Sequence, residues 1–173
     1  MNFEWACNLV HLSYGMVALP EGKMKSREGT VVDIDDLFEE MCQKANNIIM
    51  KSDKSTEFKE LNSKDFLEKL SIMIGDAALK YFILKVDAKK NMLFNSEESI
   101  DFNGHTGPFI QYTYARIKSI LRHAENRALV FNVGRKMSTE EKELIKLILE
   151  YPIIISQAAN NLTPSILANY LYS

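Results

Sequence analysis

Cysteine is scarce: Cys7 and Cys42 are the two in 173 residues, far apart and in no CxxC pair. That excludes a disulfide framework, and the two read as free thiols of a reducing compartment. His11, His105 and His123 show neither HExxH nor Cys/His zinc spacing, so no metal site is expected. GxGxxG, a Walker loop and a GxSxG elbow are all missing. No apolar run approaches the ~20 residues that span a bilayer. The residues after Met1 lack the charged, apolar and small-residue order of a signal peptide. A cytoplasmic protein with no membrane partner is expected. A charge excess is lacking too, the formal net charge being −2. This argues against a generally basic nucleic-acid binder without excluding a local basic face. The acidic clusters at 33–40 and 97–101 fall at helix starts or on polar faces and receive no acid–base role. No tandem repeat or low-complexity tract occurs.

What is there begins with Leu12 to Val32. Leu12, Tyr14, Met16 and Ala18 alternate with Ser13, Gly15 and Val17 as in a short strand, which Pro20 and Gly22 break. A loop follows with three cations in five positions, Lys23-Met24-Lys25-Ser26-Arg27, closed by Gly29 and the β-branched Thr30-Val31-Val32. Glycines flanking cations give a loop that can move and present ammonium groups to an oxyanion. By composition alone the same stretch is a solvated hairpin. The strand has no obvious partner in the remaining sequence, and a lone strand is marginal.

The length suits one or two small domains. Phe3 to Ala6 reads as the tail of a helix. Asp33 caps a helix with the stripe Leu37, Met41, Ala45, Ile48 and Ile49, with Asp35 and Asp36 in its first turn and an end near Ser52. The polar run from Ser52 to Asn62 is a connector or a frayed helix. A second helix starts after Ser63 with the stripe Phe66, Leu70, Met73, Ala77, Tyr81 and Leu84, continuing or bending at Gly75. Lys89 to Asn103 has no sustained period beyond one short turn at Ser96. Gly104, Gly107 and Pro108 punctuate a loop before a helix that buries Ile110, Tyr114, Ile117, Leu121 and Ala124. Tyr112, Arg116, Ser119 and His123 share another face of it. Residues 126–137 read as a linker around Gly134. Ser138 and Glu141 make a capping box for a helix that ends near Pro152. Ile153 to Leu162 reads as an apolar helix, although its isoleucines also fit a strand. Thr163 and Pro164 start a last helix as N-cap and N1.

Four separated blocks resemble the arginyl-tRNA synthetases of class I, in that family's order. KMKSR, between HLSYGMV and REGTVV, looks like that family's version of the KMSKS loop. Ser26 stands where the general signature has its second lysine, a departure common in arginyl enzymes. IGDAALKYFIL at 74–84 and DFNGHTGPFIQYTYARIKSILR at 101–122 also resemble the family. YPIIISQAANNLTPSILANYLY resembles its helical anticodon-binding domain, often called the DALR domain.

The resemblance implies a mainly α fold, with a short strand and KMSKS-type loop at the N-terminal end and a helical bundle after it. Residues 1–104 would be the end of the catalytic core, and 105–173 the first part of the anticodon-binding domain. The implied reaction activates arginine with ATP, accompanied by Mg2+, and transfers it to tRNA(Arg); the intact enzyme would be monomeric. The resemblance gives Lys23, Lys25 and Arg27 to the reacting phosphates. It gives Gly15, Met16, Val17, Met24 and Ser26 to ATP binding, the backbone at 15–17 lying against adenine. Arg116, Lys118, Arg122 and His123 are the tRNA-binding candidates, and for these a merely solvated face is an equal reading. The HIGH motif and the arginine pocket do not occur in the chain. It therefore reads as cut at both ends and inactive alone. Two rivals are weighed: a non-catalytic helical interaction module whose cationic loop is a surface turn, and another class I enzyme such as the cysteinyl one. The REGTVV and GHTGPFIQYTYAR wording disfavours the second.

Overall fold

In the computed structural model, residues 3–20, 22–23, 33–51, 64–125 and 134–173 are described, with 22, 23 and 125 as backbone only. The expectations for Thr30–Val32, the 52–62 run, Ser63 as a cap and linker residues 126–133 lie outside them.

Asp33 starts the first long helix: its carboxylate accepts the Asp35 N–H at 3.2 Å and its carbonyl the Leu37 N–H. This helix, α1 (Ile34–Lys51), buries Leu37, Met41, Ala45 and Ile49 at helical spacing, with Ile48 at the edge of the stripe. Helix α2 (Lys64–Leu84) packs along it and continues without a break through Gly75. The expected stripe on α2 is half right: Tyr81 is buried, Leu70 packs against the core and Ala77 is half-buried. Leu67, Ile74, Ala78, Leu79 and Phe82 are buried beside Tyr81, whereas Phe66, Met73 and Leu84 face outward. Apolar residues surround this helix, so periodicity does not select a face. Gly75 does: a Cβ there would lie 2.8 Å from the Cys42 backbone nitrogen, so α1 approaches that closely because residue 75 has no side chain.

Three short strands lie at one end of the helix pair: β1 (Val17–Leu19), β2 (Gly22–Lys23) and β3 (Met92–Leu93), in the order β2-β1-β3. The expected strand from Leu12 is reduced to three residues. Its expected lack of partners is also corrected. It pairs antiparallel with β2 across the Pro20 turn (Ala18 with Lys23, Leu19 with Gly22) and parallel with β3 (Val17 with Met92, Ala18 with Leu93). A two-residue strand has no period to read, which is why β3 is invisible in the sequence. Phe94, just after it, is fully buried and meets Phe82 edge-on at 5.1 Å. Asn95 then caps a one-turn helix, α3 (Ser96–Ser99), accepting the Glu97 and Glu98 N–H groups. Lys44 of α1 reaches Glu97 at 2.5 Å and Ser96 at 2.7 Å, fastening this turn to the helix pair.

Helix α4 (Gly107–Glu125) begins with Pro108 in its first turn, fully buried. Its start abuts α2, where a Cβ on Gly107 would fall 2.1 Å from the Ala77 carbonyl oxygen. Gln111 donates to the Met73 carbonyl. Beyond that, the expected buried stripe is not buried: Tyr114, Ile117 and Leu121 are half or more exposed. Among the described residues, α2 supports only the first turns of α4.

Ser138 and Glu141 form the expected capping box of α5 (Thr139–Asn160). The expected break at Pro152 does not occur, and the two predicted elements are one helix. Proline removes one N–H, and position 148, whose carbonyl loses that partner, is exposed enough for water to replace it. Helix α6 (Ser165–Tyr170) begins at Pro164 as cap, one residue later than expected; the Thr163 hydroxyl donates back to the Asn161 carbonyl instead. The mainly α fold with a small strand cluster near the N-terminal end is as expected. The helix Phe3–Ala6 is a 3-10 turn, Glu4–Asn8. Cys7 and Cys42 are unpaired.

Helix α5 ends in a Schellman closure, with Leu162 N–H on the Ala159 carbonyl and Thr163 N–H on that of Ala158. Leu162 occupies the left-handed position at φ 51°. That conformation costs a non-glycine residue about 1–2 kcal/mol, against about 0.5–1 kcal/mol for the extra chain entropy of glycine. Leu162 is half exposed, so little packing is lost. Leu162→Gly is therefore expected to raise the unfolding free energy by about 0.5 kcal/mol, read as a higher denaturant midpoint. A lowered midpoint would show that leucine packing outweighs its strain.

Candidate functional site

The chain between α2 and β3 makes a tight turn: Asp87 accepts the Lys89 N–H on its carboxylate and the Lys90 N–H on its carbonyl, each at 2.9 Å. This turn grips the residues entering β1. Gly15 N–H donates to the Ala88 carbonyl at 2.6 Å, and Met16 N–H to the Asn91 side-chain oxygen at 2.7 Å. In return, Met92 N–H donates to the Met16 carbonyl at 2.9 Å and Phe94 N–H to that of Ala18 at 2.7 Å. Gly15 is required by close approach, since a Cβ would stand 2.2 Å from the Lys90 carbonyl oxygen. The backbone at 15–18 is thus fixed before the chain turns at Pro20.

Gly15, Met16 and Val17, the adenine candidates, lie together at the head of β1, with the Lys23 backbone paired to the next residue, Ala18, from β2. The Gly15 and Met16 amides are already engaged by the turn. Met24, Lys25, Ser26 and Arg27 lie outside the described residues, as does the Lys23 side chain. A mainly apolar cleft of ≈ 230 Å³ opens beside Gly15 and Val17, floored by Ile83, Val86 and Met92. It is smaller than the roughly 300–1,000 Å³ of a site that encloses a small molecule. Ala88 and Asn91 are the contacts that sequence reasoning missed.

The second candidate group lies on α4. Arg116, Lys118, Arg122 and His123 are all exposed. The Arg116 guanidinium stands 5.7 Å from the Tyr112 ring, on the shared face that the spacing predicts, and Lys118 stands 5.8 Å from the Tyr114 ring. Arg122 and His123 fall in the last turn, where cations also complement the helix dipole.

A seam joins α2, the 101–106 loop and α6. The Tyr81 hydroxyl donates to the Ala168 carbonyl at 2.9 Å, and Asn169 donates to that of Lys85 at 3.1 Å. The Lys85 ammonium donates to the His105 carbonyl at 2.9 Å. The His105 ring stacks 3.9 Å from Tyr172 and lies 5.5 Å from Tyr81. Burial, with the Tyr172 phenol nearby, pushes the Tyr81 hydroxyl up to about 12. Among the described residues, no group of three His, Cys, Asp or Glu side chains is arranged to hold a metal ion, and no helix is long and apolar enough to cross a membrane.

Two family models match the chain. One, described as tRNA synthetases class I (R), catalytic domain, matches residues 1–96. The other, the DALR anticodon binding domain, matches residues 110–173. Curated relatives include the arginine–tRNA ligase of Flavobacterium psychrophilum, 56% identical over 172 residues, covering 99% of this chain and 28% of that protein. That of Bacteroides thetaiotaomicron is 52% identical over 176 residues, covering 99% and 29%. Among solved structures, the Thermus thermophilus arginyl-tRNA synthetase matches with a TM-score of 0.76 at 28% identity, covering 93% of this chain and 25% of that one. The Plasmodium falciparum enzyme matches with a TM-score of 0.69 at 25% identity, covering 94% and 26%. The chain spans less than a third of the length of these relatives.

The seam carries a pH dependence. His105 Nε2 is buried without a hydrogen-bond partner, and burial, then the Lys85 charge, hold the imidazole below its usual value. An imidazole with a lowered pKa binds its proton less readily folded than unfolded. Its contribution is therefore complete above the ordinary value of about 6.5 and is lost as pH falls from there through the lowered one. His105→Phe keeps an aromatic ring in the stack and removes the titration. Acidification from pH 7.5 to 5 is expected to cost the variant less unfolding free energy than the parent; equal losses would remove His105 from the pH dependence.

Proposed function

Because the chain belongs to the class I arginyl-tRNA synthetase family, we propose that it is the part of an arginine–tRNA ligase that closes over ATP and leads into the anticodon-binding unit. Residues 1–104 end the catalytic core and 105–173 begin the helical anticodon-binding domain. The observation that carries the reading is the clamp on residues 15–18, a rigid base directly ahead of a loop dense in cations. Family membership argues against the surface-turn and cysteinyl alternatives.

In the proposed reaction an arginine carboxylate oxygen attacks the α-phosphorus of ATP, and the bond to the bridging oxygen breaks to release pyrophosphate. Negative charge grows on the phosphates as this happens. Lys23, Lys25 and Arg27 meet that charge, and a loop that arrives late stabilises the transition state more than bound ATP. Met24 and Ser26 line the nucleotide, and the strand backbone at 15–17 lies against adenine. Mg2+ enters with ATP as part of the substrate. The acyl group then passes to the 3′ end of tRNA(Arg), and AMP leaves. Arg116, Lys118, Arg122 and His123 contact tRNA mainly through phosphates, in an interaction that weakens with salt. The intact enzyme works as a monomer in the cytoplasm. The 173 residues alone lack the HIGH motif and are inactive, since catalysis needs both substrates positioned together.

Removing one such charged contact is worth roughly 2.7–4 kcal/mol, about a hundred- to a thousandfold in rate. In the intact protein, Lys25→Ala and Lys23→Ala are expected to slow single-turnover adenylate formation by that order, Lys25 more, while arginine affinity stays near normal. Lys25 is favoured because Ser26 leaves it the nearest ammonium to the missing second lysine. Normal rates in both variants would return the loop to a surface turn.

A further inference from the structure

Alternation fails at the head of β1, and that failure points to a residue. In a strand, successive residues turn their backbone groups to opposite sides. Met16 turns its N–H to Asn91 and its carbonyl to Met92, yet Gly15, one residue earlier, also sends its N–H to the 87–91 turn. In a continuing parallel ladder the Met16 N–H would be received by the carbonyl of residue 90. That carbonyl instead stands against Gly15, where a Cβ would be 2.2 Å away. The Asn91 side-chain oxygen takes its place at 2.7 Å. Only the oxygen of the carboxamide can receive an N–H, so the contact also fixes which way the amide faces.

We propose that Asn91 is a positioning residue for the cationic loop. By substituting for the ladder carbonyl, it sets where β1 starts and hence the direction in which β1 and β2 deliver Lys23 and the cations after it. This rests on the reading above that the loop serves ATP. Asn91 touches no substrate and acts through the Met16 backbone. Its partner is seventy-five positions away in sequence, so neither segment holds that geometry alone. Loss of the contact frees the Met16 N–H and lets the head of the strand shift against the 87–91 turn. Positional errors of this kind lower rate more than ground-state binding of a substrate held elsewhere.

The test uses the intact protein that carries this chain, with two variants. Asn91→Leu keeps similar bulk without an acceptor, and Asn91→Asp keeps an acceptor at the same reach. In arginine-dependent ATP–pyrophosphate exchange with tRNA(Arg) present throughout, Asn91→Leu is expected to lower kcat about tenfold, the upper range for one such hydrogen bond. The KM for arginine should stay within about twofold of the parent's, and Asn91→Asp should restore most of the rate. Hydrogen exchange at the Met16 amide should be fast in Asn91→Leu and slow in the parent and Asn91→Asp. An unchanged kcat in Asn91→Leu, or an Asn91→Asp variant as slow as Asn91→Leu, would overturn the proposal. So would a parallel rise in the KM for arginine, which marks general damage. A parent without arginine-dependent exchange would instead overturn the functional reading, and the two failures are distinct because only the second involves the parent.

Discussion

The backbone bonds between residues 15–18 and 88–94 are the constraint on which the rest depends. They join a stretch near the start of the chain to one reached only after two long helices, so those helices must deliver the second stretch to the correct place. Gly75 permits α1 and α2 to pack at backbone distance. Phe94, wedged edge-on against Phe82, sets β3 against the end of α2, and Lys44 holds the following turn through Glu97 and Ser96. Each bond contributes about 0.5–1.5 kcal/mol net. Apolar burial under the strands supplies most of the stability, and the bonds set register.

Beyond that end the described contacts thin out. Helix α4 is held to α2 through its first turns, and α5 meets α6 through the Tyr170 hydroxyl on the Leu147 carbonyl. Helix α6 returns to the end of α2 through Tyr81, Lys85 and the His105 stack. This seam joins the two units that the family models match separately. It is built of side-chain hydrogen bonds and aromatic contacts, weaker and more sensitive to conditions than the apolar core between α1 and α2. Lys85 serves it twice, by its carbonyl and by its ammonium, directly before the turn that grips Gly15.

Much of this was legible. The α1 stripe, the Asp33 start, the Ser138 capping box and Pro108 at the head of α4 were readable because each rests on local chemistry at fixed spacing. The family, too, was readable from four short blocks in order. What was not legible was long-range. The face of α2 could not be chosen because its apolar residues encircle it and a glycine decides. Strand β3 is too short for a period, so the partner of β1 and the role of Asn91 were hidden. The stripe on α4 was read as buried because an amphipathic pattern shows which side is apolar, not whether anything covers it. At Pro152 a strong local rule was outweighed by the capped helix already running into it and an exposed position for the freed carbonyl. Of the candidate site, the sequence named the residues and the structure added what holds Gly15 and Met16.

The central claim is that the clamped strand and its cationic loop serve the activation of arginine by ATP. The most direct test is ATP–pyrophosphate exchange by the intact protein with each amino acid offered singly, tRNA(Arg) present throughout. The account predicts exchange with arginine and none above blank with lysine, cysteine or the rest. Exchange supported by a different amino acid, or by none, would contradict it.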